Sequence, residues 1–575
     1  MTQELEAAVQ GRRAAPRTIA RLWQDAVDRR RVGVAYLVQD GDDWREVSWA
    51  EAAAAVDELA HGLLARGVRK GDPFAIIAST RLEWALFDFA LATIGAIGVA
   101  VYSNSSPHDA RYVVEHSDSI GVLCEDEAQL AKIAELSLAH VLTLADLDDL
   151  RALGRGHARE HPHAVEEAAG AIDPDDAFTY IYTSGTTGPP KACILRHRNY
   201  YAMAAKIDEL DGFVLEGDVM LLYLPLAHNF GRLMHLTGPH AGYTIAFCPD
   251  PYAVAEALPA VRPTILPSVP RVYEKIYTAL TTAFEETTGV KRRLLDWALG
   301  VGRHVSRLRR EGRPIPPLLA VQHRLADRLV YAKVKARIGG RFRIGISGAA
   351  PLAIEIAELF HALDILVLEG YGLTECTTAA TVNRPNRFRF GTVGPALPGV
   401  ELKLAEDGEL LIRSDTVFAG YYKDEAATRE VLDDDGWLKS GDVADIDADG
   451  FVHITDRKKD IVVTAGGKNV APLNLESALK ASPLISQALV VGDRRPYIAA
   501  LVTLEPGLRA EDVEDDVQAV VDNVNRDRSR FEQIKRFAIL PREFSVEAGE
   551  LTPTMKVKRR VCYERFADEI DALYR

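Results

Sequence analysis

The stretch YIYTSGTTGPPK, Tyr180 to Lys191, gathers the chemistry of an anion site. Gly185 and Gly188 let backbone N–H groups come close to an oxyanion. Thr183, Ser184, Thr186 and Thr187 add hydroxyl donors, and Lys191 adds a positive charge. The alternation Phe178, Tyr180, Tyr182 reads as a strand, so a strand runs into a glycine-rich loop, a layout that binds nucleotide phosphates. It is not a P-loop: Lys191 is followed by Ala192 instead of Ser or Thr, and two prolines part it from Gly188. ATP phosphates are the expected occupant, and a kinase-like or motor NTPase is disfavoured. By composition alone, such a loop in most proteins is only a turn. His157, His161 and His163 have the spacing of metal ligands, but no carboxylate or cysteine framework surrounds them. Their segment reads as an exposed connection without metal.

These residues must be positioned by a large scaffold. With 575 residues the chain exceeds a single hydrophobic core, so a large and at least one smaller domain are expected. The balance of 47% hydrophobic and 26% charged residues is that of a packed globular protein. A net charge of -15 argues against general nucleic-acid binding, which needs a basic face. Cys124, Cys193, Cys248, Cys376 and Cys562 form no CxxC pair, which suits a reducing cytoplasm. Arg12, Arg13, Arg17 and Arg21 near the N-terminus precede no apolar export segment.

From about Ser48, helical patterns alternate with short apolar runs such as FAIIAS (from Phe74), IGVLCE (from Ile120) and YTIAF (from Tyr243), which predicts α/β layering with largely parallel sheets. Trp84 to Tyr102 approaches the length of a membrane span. Asp88 interrupts it, and Gly95 and Gly98 suggest instead a buried helix running into a buried strand. Lys291 to Arg337 holds thirteen Lys or Arg against Asp296, Glu311 and Asp327, and reads as helix on either side of a break at Pro314 to Pro317. Such an island is either a solvated helical face or a surface for peripheral contact with an anionic membrane. The texture changes again after about Val443, with a turn and strand at DADGFVHIT and the charged cluster DRKKD at Asp456 to Asp460. The boundary is placed there: 1–456 large, 457–575 small, the latter about the size of an independent α+β domain.

YTSGTTGPPK resembles the signature of the adenylate-forming, or AMP-binding, superfamily. SGAAPL (from Ser347), YGLTE (from Tyr371), GTVG (from Gly391), GELLIRS (from Gly408), GYYKD (from Gly420), WLKSGD (from Trp437), DRKKD and PTMKVKR (from Pro553) follow in the family's order. The resemblance implies a large domain with parallel-rich sheets and a small mobile C-terminal domain. It implies that a carboxylate attacks the α-phosphorus of ATP, and that the acyl group of the resulting anhydride then passes to a thiol. Such chemistry rests on positioning and cationic stabilisation. By resemblance Glu375 holds Mg2+, Thr374 contacts the α-phosphoryl group, and Lys191 belongs to the phosphate loop. Tyr371 with Gly372 lies along the adenine, and Gly348, Ala349 and Ala350 form the slot around the base. Asp442 accepts from the ribose hydroxyls with Arg457 assisting, and Lys556 bridges carboxylate and phosphate in the first half-reaction. Lys459 takes the hinge position, after whose rotation Gly466 and Gly467 in TAGGKN meet the pantetheine arm of coenzyme A. Cys376, beside Glu375, is expected to be a packed small residue rather than a nucleophile.

LPLAHNFGR (from Leu224), PTILPSVPRVYEKIY (from Pro263) and DRLVYAKV (from Asp327) resemble the bacterial long-chain fatty acyl-CoA synthetases. There His228 is expected near the substrate carboxylate and acyl tunnel. Relatives commonly read HVFER, where this chain has Asn229 and Gly231. ATP, Mg2+ and coenzyme A are the implied cofactor and cosubstrates, and a fatty acid the implied substrate. Three alternatives stay open: a fatty acyl-AMP ligase loading a carrier protein, though no insertion of that group is seen; an aryl or short-chain ligase; and a non-catalytic acyl-nucleotide binding protein, against which Lys191, Glu375, Asp442 and Lys556 argue.

Overall fold

The computed structural model describes residues 17–29, 33–41, 43–183, 189–526, 528–552 and 555–575. Arg12 and Arg13, Ser184 to Gly188 of the phosphate loop, and Pro553 with Thr554 lie outside the described residues.

Two large sheets carry the first part of the chain. One has six strands in the order His140–Thr143, Gly121–Cys124, Pro73–Ile77, Ile97–Val101, Ala177–Thr183, Lys191–Arg196. All its neighbours are parallel except the last pair. The other has eight strands in the order Thr381–Val382, Leu366–Tyr371, Ile344–Ser347, Ile265–Ser268, Val219–Leu222, Thr244–Phe247, Val34–Asp40, Asp43–Ser48. It is parallel inside and antiparallel at both edges. FAIIAS, IGVLCE and YTIAF each supply one of these parallel strands. They are continuous apolar runs because both faces are covered: every residue of Gly121–Cys124 and Ile97–Val101 is buried.

The span-like segment is a buried helix, Leu82–Thr93, and a buried strand, Ile97–Val101, separated by a turn in which Gly95 has φ +72°. No helix among the described residues is long and apolar enough to cross a membrane. Asp88, which interrupts the run, is fully buried against the equally buried Arg232 of the helix Asn229–Ala241. Arg232 Nε donates to Asp88 Oδ2 at 3.1 Å, its Nη2 donates to Oδ1, and its Nη1 donates to Thr179. The guanidinium lies 5.2 Å from the Trp84 ring and 4.7 Å from that of Phe178. Gly98 is required beside it, since a Cβ there would stand 2.9 Å from Nη2. The ion pair thus fixes the Asn229–Ala241 helix against the Leu82–Thr93 helix, and the bond to Thr179 fixes it against the strand that ends at Thr183.

A four-stranded antiparallel sheet follows, Glu401–Leu404, Glu409–Arg413, Leu438–Ile446 and Val452–Arg457. From Val462 onward the chain builds its own core around the strands Ile485–Val491, Ile498–Leu504 and Ile534–Ile539, with two apolar clusters drawn only from this stretch. The basic island forms the helices Gly289–Arg310 and Pro317–Ala326 on either side of the proline break. His157 corrects one expectation. It lies in the helix Leu147–Glu160, not in a connection, and its Nδ1 is 2.9 Å from that of His61. Only His161 to His163 link that helix to the next, Ala164–Gly170.

Candidate active site

The sequence-predicted residues come from strand ends and the turns that follow them, where an open parallel sheet leaves a crevice. Thr183 ends its strand opposite Lys191, and its hydroxyl donates to the Lys191 carbonyl at 3.4 Å. The Lys191 ammonium lies 3.6 Å from Asp424 and 5.2 Å from the centre of the Tyr421 ring. The Tyr421 hydroxyl donates to Glu375 Oε1 at 2.7 Å. Burial and the Glu375 charge push this phenol up, so it remains a donor across ordinary pH. Tyr421 therefore joins the phosphate-loop lysine to the expected metal ligand, a link that sequence reasoning missed within GYYKD.

Glu375 sits in a single 3₁₀ turn, Thr374–Cys376, immediately followed by Thr377 and Thr378 at φ +55° and +84°. Two successive side-chain-bearing residues in the left-handed region are costly and need support. The support is Asn229, the first residue of its helix. Its backbone carbonyl accepts from the Thr378 hydroxyl at 3.1 Å, and its amide donates to the Thr374 carbonyl at 3.4 Å. Tyr200 donates in turn to the Asn229 side-chain oxygen. Gly372 is also required, because a Cβ there would lie 1.8 Å from the Thr378 carbonyl oxygen. Cys376 is buried, and desolvation pushes its thiol up to about 12, so it is a packed residue as expected.

His228 caps the Asn229–Ala241 helix. Its Nδ1 accepts from the Phe230 N–H at 3.2 Å, which leaves the ring proton on Nε2. Burial first and Lys556 second push its pKa down to about 3, so it is a neutral donor. Gly231, where relatives carry Glu, is enclosed: a Cβ would meet the Pro225 and Leu224 carbonyls at 2.4 and 2.7 Å. Gly348, Ala349 and Ala350 follow the strand Ile344–Ser347, with Ala349 at φ +71° and the Phe230 ring against Gly348. Below them Glu369, which sequence reasoning also missed, accepts from the Leu352 N–H at 3.0 Å. Burial pushes its carboxyl up to about 7.

Tyr371 donates from its hydroxyl to Asp442 Oδ2 at 2.6 Å. Asp442 is nearly buried, and desolvation raises its pKa against the opposing pull of Arg457, 3.5 Å away and directly opposite in the β ladder. Lys556 stands in the same crevice, in a turn opened by Met555 at φ +64°. Solvent reaches its side chain, yet protein surrounds it closely enough to push the ammonium down to about 8. Arg457 adds to that shift and Asp442 opposes it. One crevice thus unites Thr183, Lys191, Thr374, Glu375, His228, Tyr371, Gly372, the Gly348 turn, Asp442, Arg457 and Lys556.

Gly466 and Gly467 take no part in these contacts. They form an exposed hairpin tip between Val462–Val463 and Asn469–Val470, where Gly467 has φ +70°. Lys459 lies in the exposed turn after the strand Val452–Arg457.

Among the described residues no cluster of three or more His, Cys, Asp or Glu is poised to hold a metal. Glu375, the expected Mg2+ ligand, offers one half-buried carboxylate held by Tyr421, which suits an ion that keeps several waters and is held through one or two carboxylates plus phosphate oxygens.

Comparison with known proteins agrees with this geometry. Residues 23–422 match the model of the AMP-binding enzyme family, and residues 459–575 that of the AMP-binding enzyme C-terminal domain. The chain is 39% identical to the long-chain-fatty-acid–CoA ligase FadD15 of Mycobacterium bovis, over 92% of each chain. It is 30% identical to the human long-chain-fatty-acid–CoA ligase ACSBG1, over 97% of this chain and 85% of the relative. Its fold matches the adenylation domain of a carboxylate reductase from Mycobacterium chelonae, with TM-score 0.76 at 22% identity over 97% and 91% of the two chains. It also matches an anthranilate CoA ligase, AuaEII, with TM-score 0.74 at 19% identity over 96% and 98%. With both family models matched in order and their motifs converging on one crevice, the chain belongs to the AMP-binding enzyme family.

Proposed function

We propose that this enzyme joins a long-chain fatty acid to coenzyme A through an acyl-adenylate, consuming ATP and releasing pyrophosphate and AMP. The observation that carries the reading is that Lys556 of the C-terminal part lies close enough to His228 and Asp442 of the large part, and to Arg457 at the boundary opposite Asp442, for their charges to act on one another. That arrangement serves the first half-reaction. A carboxylate oxygen attacks the α-phosphorus and the bond to pyrophosphate breaks. Lys556 and the neutral His228 Nε2–H hold the reacting carboxylate and phosphoryl oxygens, while Asp442 accepts from the ribose hydroxyls and Tyr371 orients Asp442. Thr374 reaches the α-phosphoryl oxygens from the turn that Asn229 braces, and Lys191 with the Thr183 to Gly188 loop takes the β and γ phosphates. Mg2+ on Glu375 would neutralise phosphate charge as it moves to the leaving group.

In the second half-reaction the thiol of coenzyme A forms a bond to the acyl carbon and AMP leaves. The exposed Gly466–Gly467 tip is suited to the pantetheine arm, and it must be brought to the crevice by rotation of the C-terminal part about Lys459. The experiment is coenzyme A-dependent AMP release across acids from acetate and benzoate to palmitate, with mass detection of the thioester. Long-chain thioesters are expected. Acyl-AMP without thioester would instead assign the acceptor to a carrier protein.

A further inference from the structure

The helix Pro317–Ala326 and the turn Asp327–Tyr331 pack on the Gly289–Arg310 helix through Leu319, Ala326 and Tyr331. Their outer face is apolar where a solvated helix would be polar. Leu318, Val321, Leu325 and Leu329 are 72%, 59%, 49% and 36% exposed. Their spacings of three, four and four residues put them in one stripe. Exposed Arg324 and Arg328 flank it, with exposed Lys333 just beyond. None of these three has an ion-pair partner among the described residues. Asp327, the acidic residue nearest the stripe, is already paired with Lys335 at 2.6 Å. Elsewhere in the island Arg292, Arg309, Arg310 and Arg313 are paired with Asp296, Asp364, Glu358 and Glu311.

We propose that this face is a docking surface for an anionic lipid bilayer. Large apolar side chains at its centre with unpaired cations around them match the acyl boundary and charged headgroups of such a surface. A nucleic acid would leave the four apolar residues without a counterpart, and a chain of net charge -15 would repel it elsewhere. A cationic face on an acidic whole also orients the enzyme toward an anionic plane. The proposal is independent of which acid is activated.

The test is flotation of the full-length enzyme with vesicles of equimolar phosphatidylcholine and phosphatidylglycerol, with pure phosphatidylcholine vesicles as the control. Binding to the anionic vesicles alone, weakening as salt is raised, is expected. The triple variant Arg324→Gln, Arg328→Gln, Lys333→Gln should lower partitioning by about two orders of magnitude. The pair Leu318→Ser, Leu325→Ser should lower it at least about tenfold. Both should form the adenylate of a water-soluble medium-chain acid at the unaltered rate, which separates failure of docking from failure of the enzyme. No affinity for anionic vesicles, or affinity unchanged in both variants, overturns the proposal. So does a leucine variant that only converts an oligomer to a smaller species in light scattering, which would assign the face to a second copy of the chain.

Discussion

Tyr421→Phe isolates one hydroxyl in the crevice. The ring stays, and with it the stacking beneath the Lys191 ammonium at 5.2 Å; the 2.7 Å hydrogen bond to Glu375 is lost. A hydrogen bond to a charged group contributes about 1.5–3 kcal/mol. Both partners are half-buried, so water replaces part of the contact, and about 1–2 kcal/mol is the reasonable share. If the bond orients the carboxylate for the metal, adenylation should slow by about 5–30-fold. Pyrophosphate exchange into ATP, measured across Mg2+ concentrations, should show that loss together with a raised Mg2+ requirement. Thioester formation from supplied acyl-AMP should stay within about twofold of the parent, since that step does not need the pyrophosphate end of the site. A wild-type rate and Mg2+ dependence would refute the orienting role. Equal loss in both half-reactions would show that the substitution disturbs the crevice as a whole.

Lys556→Ala should abolish adenylation and leave thioester formation from acyl-AMP largely intact. In the parent enzyme the ammonium is the active form with its pKa lowered to about 8. Adenylation kcat/KM should therefore be sustained below that pH and fall as pH rises through it, whereas in Lys556→Arg any residual activity should lack this fall. Asp88→Asn leaves the buried Arg232 without its counter-charge and should cost about 3–5 kcal/mol, read as a lowered unfolding temperature or loss of folded protein. Gly372→Ala forces apart atoms that would sit 1.8 Å from each other, and should remove adenylation while circular dichroism stays native.

The parallel strands were legible because burial on both faces writes them as unbroken apolar runs, as at Phe74 and Tyr243. The break between helix and strand at Gly95 was legible for a related reason: a charge and two glycines do not suit a membrane span. The helix over His157 was not. Gly154 and Gly156 speak against helix locally, but Gly154 is present because its helix approaches Trp49–Ala65 so closely that a Cβ would meet the Glu58 carbonyl at 1.8 Å. Tertiary contact overrides propensity there. Tyr421, Glu369 and the Asp88–Arg232 pair escaped for a different reason. Their roles lie in partners 17 to 144 positions away, and no local pattern marks a side chain whose meaning is set by what folds against it. Asn229 was visible only as a departure from HVFER. In the fold it braces the turn that carries Glu375.

The proposed rotation at Lys459 has a physical basis in how the chain changes partners there. Lys458 is tied to the preceding sheet, its N–H donating to the Gly441 carbonyl at 2.8 Å and its ammonium reaching Asp407 at 2.5 Å and Glu409 at 2.9 Å. Two residues later Asp460 faces Arg559, 3.9 Å away, which grips Glu476 with two hydrogen bonds inside the C-terminal part. Lys459 stands between these allegiances with no ion pair among the described residues. The contacts that cross the junction in this arrangement include the Leu473 N–H to Asp456 at 3.1 Å, the Asn474 amide to Thr455 at 3.4 Å, and Arg271 to Glu505. These are polar, and Arg271 and Glu505 keep more than a quarter of their side-chain surface in solvent. The partly exposed Arg271–Glu505 pair contributes roughly 0–1 kcal/mol and the two hydrogen bonds roughly 0.5–3 kcal/mol each, so breaking them and making a comparable set elsewhere leaves two arrangements close in energy. Substrate charge can then decide between them: phosphates that need Lys556 favour the arrangement seen here, and once pyrophosphate has left that preference is gone.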